Sequence, residues 1–228
     1  MTKWLFAIAN TLALSLLILY TAIHIPTFYL GTYSRHYYQY DTAQLIQISE
    51  EELMEVTARL VGYIRGTYDD LLITATIAGQ ERLFFNQREI DHMADVLLLF
   101  QIGRILRNIS IIVFILTCFW AIKSKYLPLF IKSSFFYNIF VLISCIFLMW
   151  IFSTDFIRYF HLFHEIFFFF DQENLWLLNP ETDLLINMVP YSFFINISLR
   201  IATIYIGLTA IVVVISGVYV IMKRRGFY

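Results

Sequence analysis

Five ionisable residues, Asp155, Arg158, His161, His164 and Glu165, fall within eleven positions, interleaved with Phe156, Tyr159, Phe160, Phe163 and the run Phe167 to Phe170. A second stretch, Asn86 to Asp95 (NQREIDHMAD), carries the only other histidine flanked by several carboxylates. These residue types narrow the chemistry. His164-Glu165 opens like a helix-borne zinc motif, but the second histidine that motif needs four residues on is Phe168. No G-x-S-x-G elbow, phosphate loop or dinucleotide fingerprint occurs, and Cys118 and Cys145 both fall inside apolar runs, which gives neither a covalent acyl carrier at the outer surface nor a metal spacing. Bis-histidine haem ligation lacks a facing intramembrane pair. What remains is acid/base and electrostatic work by His92 and His164. Arg88, His92 and Asp95 share one helix face by their i, i+4 and i+3 spacings, and Glu89 and Asp95 are the carboxylates able to orient a histidine.

The elements that must position these groups are membrane helices. Of 228 residues, 60% are hydrophobic, 18% aromatic and only 14% charged, far from the roughly 25% charged content of soluble domains. A formal net charge of −1 gives no electrostatic case for nucleic acid, so the basic residues are read for topology. Four apolar spans are expected, at 4–25, 105–122, 135–152 and 201–222, within one membrane domain covering 1–228. Two outer segments, 26–104 and 153–200, join them. All five lysines (positions 3, 123, 125, 132 and 223) fall on one side of this layout, and all 17 acidic residues fall between Asp41 and Asp183 on the other. The positive-inside rule then places both termini in the cytoplasm.

Within the first outer segment, Tyr29, Tyr33, Tyr37, Tyr38 and Tyr40 suit the headgroup layer, and His36, with no carboxylate nearer than Asp41, reads as a solvated surface histidine. His24 reads as an interfacial histidine. Ser49 followed by Glu52 is a capping box that starts a helix at Glu50 running to about Ile64. Residues 71–85 have loose period-two character around Ala78-Gly79-Gln80, which fits a small hairpin. Arg88 to Ile122 is helical throughout. A straight helix would hold His92 about 20 Å out from the hydrocarbon at 1.5 Å per residue. Leu97 to Phe100 are also too apolar for water, so a bend near Gly103 should lay Glu89 to Gln101 along the interface. In the second outer segment, Trp176 should anchor at the interface, and Asn179-Pro180-Glu181-Thr182-Asp183 reads as a cap opening a short helix that ends before Pro190.

The string Phe85 to Val96 (FNQREIDHMADV) and the string Phe163 to Phe168 (FHEIFF), followed by Trp176, Asp183, Leu185-Ile186 and Pro190, resemble the lipoprotein intramolecular transacylase family. The four-span layout also fits, so the likeness covers most of the chain. Where the family commonly has an acidic residue after the final proline, this chain has Tyr191, and that position is given no catalytic weight. The resemblance implies a bacterial plasma-membrane acyltransferase with its site on the extracytoplasmic side. Its partners are membrane lipid and a diacylglyceryl lipoprotein, whose sn-2 acyl chain is moved to the α-amino group of its own N-terminal cysteine. It also implies catalysis by His92 and His164, with support from Arg88, Glu89, Asp95, Trp176 and Asp183, and with no metal, cofactor or nucleic acid. Donor ester and acceptor amine belong to one molecule, so holding them together can supply much of the barrier reduction without an acyl-enzyme. The residues alone leave an alternative open: a non-catalytic membrane scaffold or lipid-binding accessory whose outer histidines are structural.

Overall fold

The computed structural model describes residues 2–169 and 173–225. In chain order the elements are α1 (Thr2–Phe28), α2 (Gly31–Tyr40), α3 (Thr42–Ile46), α4 (Glu50–Arg65), β1 (Thr74–Ile77), β2 (Gln80–Leu83), α5 (Gln87–Lys123), α6 (Leu127–Thr154), α7 (Phe156–Phe167), α8 (Leu184–Met188) and α9 (Tyr191–Arg224). Among the described residues, α1, α5, α6 and α9 are long and apolar enough to cross a membrane, as the four hydrophobic runs required. Each is longer than its run, because the helical ladder continues beyond the apolar part. Backbone contacts divide the chain into two compact units, neither contiguous in sequence: Met1–His24 with Gly103–Thr154 and Arg200–Tyr228, and Ile25–Ile102 with Asp155–Leu199.

The first unit holds the spanning parts of the long helices. Ala7 and Ala121 are fully buried and let α1 and α5 approach closely, with Phe6 against Trp120 at 4.7 Å. Asn10 Nδ2 donates to Thr117 Oγ1 at 2.9 Å, and Ser15 Oγ pairs with the Tyr205 hydroxyl at 2.9 Å. These bonds fix rotation between helices where lipid supplies no alternative partner. Cys118 and Cys145 are free, partly buried thiols.

The second unit carries the ionisable residues singled out above. Ser49 caps α4, accepting from the Glu52 N–H at 3.1 Å and donating its hydroxyl to Glu52 Oε2 at 3.0 Å. The hairpin forms as expected, β1 antiparallel to β2 around Ala78-Gly79. Three local expectations are corrected. His36 is buried, 4% exposed, because its spacing from Tyr33 and Tyr37 places it on the apolar face of α2 against Tyr40 (4.5 Å) and Phe193 (5.4 Å). Tyr33 and Tyr37 are buried with it, their hydroxyls donating to the Thr27 carbonyl at 3.0 Å and pairing with Thr57 at 2.9 Å. Only Tyr29, Tyr38 and Tyr40 stand exposed. The short helix of the second segment begins at Leu184 rather than after Asn179, since Asn179 uses its side chain on the Glu181 N–H (3.0 Å) and its carbonyl on the Thr182 and Asp183 N–H groups, forming a turn.

α5 is helical without a break from Gln87 to Lys123, through Gly103. The apolar run that argued for a bend is partly sheltered by protein, with Leu98 exposed. Leu97, Leu99 and Phe100 are partly buried, and Phe100 packs edge-on to Phe28 at 5.7 Å.

Candidate active site

The amino-terminal turn of α5 is built by a reciprocal cap. Asn86 Oδ1 accepts from the Glu89 N–H at 3.0 Å, and Glu89 Oε2 accepts from the Asn86 N–H at 2.7 Å. The other Glu89 oxygen, Oε1, accepts from the Leu185 N–H at 2.6 Å, so this carboxylate, 1% exposed, joins the start of α5 to the start of α8. Burial pushes its pKa up, against the lowering effect of the Leu185 and Asn86 N–H groups.

Asp183 closes the same junction. Its Oδ1 accepts from Asn86 Nδ2 at 2.8 Å and from the Thr182 hydroxyl at 3.0 Å, and its Oδ2 accepts from the Asn179 N–H at 2.7 Å. Burial alone would raise the Asp183 pKa. The bonds from Asn179, Asn86 and Thr182, together with the Arg88 charge, outweigh it and hold the carboxyl below its ordinary value.

One helical turn beyond Glu89, His92 is buried, 7% exposed, with its ring centroid 6.3 Å from that of His164 and 5.4 Å from that of Phe168. The expected meeting of the two outer segments at these histidines is therefore present in the geometry. At that separation neither ring nitrogen reaches hydrogen-bond distance of the other ring, yet both can address an atom held between them.

His164 sits on α7, whose start is capped by Asp155 Oδ1 accepting the Arg158 N–H at 3.1 Å. Its Nδ1 lies 2.7 Å from the Phe160 carbonyl. A carbonyl can only accept, so Nδ1 carries the hydrogen and the neutral ring presents the Nε2 lone pair. Phe160 (4.2 Å), Trp176 (5.0 Å, stacked) and Phe168 (5.5 Å, stacked) jacket the ring. Burial lowers the His164 pKa, outweighing the Phe160 bond that favours the charged form; the neighbouring His161 lowers it further.

Trp176 thus packs against both His164 and His161. The loop that carries it is held by Arg88, whose Nη2 donates to the carbonyls of Asn174 at 2.8 Å and Leu177 at 3.2 Å. Those carbonyls are the bonding partners Arg88 finds in this unit. Asp95 is half-buried one turn beyond His92. His161 bonds the Tyr191 hydroxyl through Nε2 at 3.1 Å and meets Trp176 edge-on at 5.2 Å. Of the phenylalanine run, Phe170 lies outside the described residues.

The sequence reading missed Asn86, whose N-x-x-E spacing to Glu89 is a legible capping signature. It also missed the backbone N–H groups of Leu185 and Asn179, for which side-chain identity carries no signal. No group of three or more histidine, cysteine or carboxylate side chains that could hold a metal ion occurs among the described residues.

The model of the family described as lipoprotein intramolecular transacylase Lit matches residues 8–194. No curated protein matches the chain in sequence. Among solved structures, the in meso structure of the membrane-integral lipoprotein intramolecular transacylase Lit from Bacillus cereus is similar. It has a TM-score of 0.81 at 18% identity, with 98% of each chain covered. Two histidine-substituted forms of that enzyme are also similar, at 18% identity in each case. The histidine-to-arginine form has a TM-score of 0.76 over 100% of this chain and 95% of the other, and the histidine-to-alanine form 0.75 over 98% and 96%. The structural likeness establishes the fold, and the family match spans most of the chain. With that family match and four helices long and apolar enough to cross a membrane, the chain belongs to the lipoprotein intramolecular transacylase family and is an acyltransferase.

Proposed function

We propose that this transacylase moves the sn-2 acyl chain of a diacylglyceryl-modified amino-terminal cysteine onto that cysteine's own α-amino group, with His164 as general base and His92 as its partner. The observation that carries the assignment is the pinning of His164 Nδ1 to the Phe160 carbonyl at 2.7 Å, which leaves Nε2 as the acceptor in a pocket shared with His92. An α-amine has a reference pKa of about 7.7 to 8.0 and histidine one of about 6.5, so an imidazole is matched to this proton transfer near neutrality. The lowered pKa of His164 keeps it unprotonated there.

Nε2 takes the ammonium proton, and the freed nitrogen lone pair attacks the ester carbonyl carbon. The C–N bond forms, the carbonyl oxygen becomes an oxyanion, and His92 is the donor to that oxygen. Collapse breaks the bond to the sn-2 glyceryl oxygen, which leaves with the bonding pair and takes back one proton. The nitrogen loses two protons in all: the first passes from His164 to water, and the second, shed by the nitrogen of the adduct, goes to that glyceryl oxygen, so the neutral amine and the product differ by the shift of one acyl group. Glu89 and Asp183 act at a distance, fixing α5 against α8. Arg88 acts through the loop that carries Trp176.

Both termini are assigned to the cytoplasm and the histidine pocket to the extracytoplasmic face, on the lysine and carboxylate asymmetry of the sequence. Because substrate and product are isomers, the intact mass of a reporter lipoprotein does not change. The test is fragmentation of its amino-terminal peptide by tandem mass spectrometry, with and without the enzyme. An N-acyl fragment with a mono-acyl glyceryl thioether is the expected product. Full conversion by a well-expressed His92→Ala, His164→Ala double variant overturns the mechanism.

A further inference from the structure

The two edges of the hairpin are unlike. Its turn, Ala78-Gly79, has both residues at positive φ (53° and 78°), the turn type in which the flanking pair, Ile77 and Gln80, exchanges hydrogen bonds. Pairs alternate from there. In Thr76–Glu81 and Thr74–Leu83 the backbone N–H and C=O groups consequently point away from the partner strand. On the β1 side this outward row is partly occupied: the Thr76 N–H donates to Glu52 Oε1 at 3.1 Å, and beside it the Ala78 N–H donates to the Gln47 carbonyl at 2.9 Å. On the β2 side it is open. Among the described residues nothing hydrogen-bonds to the outward groups of Glu81 or Leu83, and all four residues of β2 are exposed.

An open strand edge is a template for pairing with another chain. This one leads towards the histidines. β2 continues through Phe84 and Phe85 into the Asn86 cap of α5, beside a cavity of about 490 Å³ whose wall includes Arg82, Leu83, Gln87, Glu89 and Thr182. Glu89 precedes His92 by one helical turn, so the cavity ends at the carboxylate next to the reaction pocket. Leu83, 50% exposed, and Leu72, 63% exposed, give it an apolar lip.

We propose that the β2 edge and this cavity seat the polypeptide of the lipoprotein substrate, the residues directly after its acylated cysteine, as a strand added to β2. The proposal rests on the transacylase reading above, in which the reacting cysteine heads a polypeptide that must leave the pocket on the aqueous side. Main-chain pairing with Glu81 and Leu83 accepts any side chains, and the cavity takes one of them, so the added strand is placed by backbone and shape. The charge on the Arg82 side chain keeps this mouth hydrated, as a polypeptide requires and acyl chains do not.

The test uses two substrates of the full-length enzyme in membranes: a whole diacylated lipoprotein and a minimal diacylglyceryl-cysteine dipeptide. The Glu81→Pro, Leu83→Pro double variant removes both outward N–H donors while sparing the bonds that hold the hairpin, since neither N–H faces β1. The expected result is a KM raised about tenfold or more for the whole lipoprotein, loss of about two main-chain bonds, with kcat little changed and the dipeptide converted as before. Equal KM values for variant and native enzyme on the lipoprotein overturn the proposal, and so does equal loss on both substrates, which marks a structural or lipid-contacting role. Failure of the native enzyme to convert either substrate defeats the transacylase reading instead. A photoreactive benzoylphenylalanine in place of Leu83 is the second measurement: crosslinks to the residues following the substrate cysteine support the proposal, and crosslinks to lipid alone overturn it.

Discussion

Glu89 and Leu185, 96 residues apart, are joined by a 2.6 Å bond from the Leu185 N–H to Glu89 Oε1, while Glu89 Oε2 accepts the Asn86 N–H at 2.7 Å. Both oxygens are thus acceptors from backbone donors. Glu89→Gln puts an amide NH₂ against one of those donors, and the expected cost is about 1–3 kcal/mol from one unmet buried N–H. Thermal unfolding in detergent should show the lowered midpoint. Glu89→Asp, too short to span both partners, should lower it as well.

His92→Ala and His164→Ala should each lower conversion of the reporter by about 10²–10⁴-fold or more, the usual contribution of a general acid or base. Protein abundance and membrane insertion should be unchanged. His161→Ala, which loses the Tyr191 hydrogen bond and the edge-on contact with Trp176, should retain activity.

The pH dependence follows from the sign of the His164 shift. Burial lowers its pKa, so the neutral, competent base persists below the ordinary histidine range. Conversion should hold as pH falls through about 6.5 and decline only through the lowered value. Trp176→Ala opens the jacket, and the acid limb should then move up towards the ordinary value.

Arg88→Lys tests the loop clamp. A lysine ammonium lacks the planar fork that reaches both the Asn174 and Leu177 carbonyls. The expected result is a lower kcat together with an acid limb displaced in the same direction as in Trp176→Ala. A change in KM alone would count against this positioning role.

Asp183 gives a second pH signature, this time in stability. Its folded pKa lies below its unfolded value. Its contribution is therefore present above the ordinary carboxylate range and lost as pH falls through the lowered folded value. Asp183→Ala should lower the unfolding midpoint near neutrality and flatten its decline in acid.

Much of this architecture is legible in the chain because it follows from periodicity and caps. The four spans come from uninterrupted apolar runs, α4 from Ser49 and Glu52, and the hairpin from Ala78-Gly79 between alternating residues. The histidine pair was found by residue type and by the family-like strings around it. What stayed hidden depends on neighbours distant in sequence. His36 is buried by Phe193, a residue 157 positions away, and a reading that weighed only nearby carboxylates left it in water. Part of the shelter of Leu97 to Phe100 comes from Phe28, far from them in sequence. Arg88 donates to the backbone carbonyls of Asn174 and Leu177, partners that have no sequence signature.

The Glu89–Leu185 bond also sets an order on biosynthesis. At about 5–20 residues per second the ribosome takes about 5–20 s to add the 96 residues between them. Throughout that interval the Glu89 carboxylate has no Leu185 N–H to accept and gains nothing by leaving water. The first turn of α5 can therefore settle into its buried position only after Leu185 has emerged. A nascent chain stopped at Thr154 already contains three of the four membrane anchors, yet it lacks His164, Trp176 and the latch that seats His92. Catalytic competence is acquired late in synthesis, close to the moment at which the final helix is made.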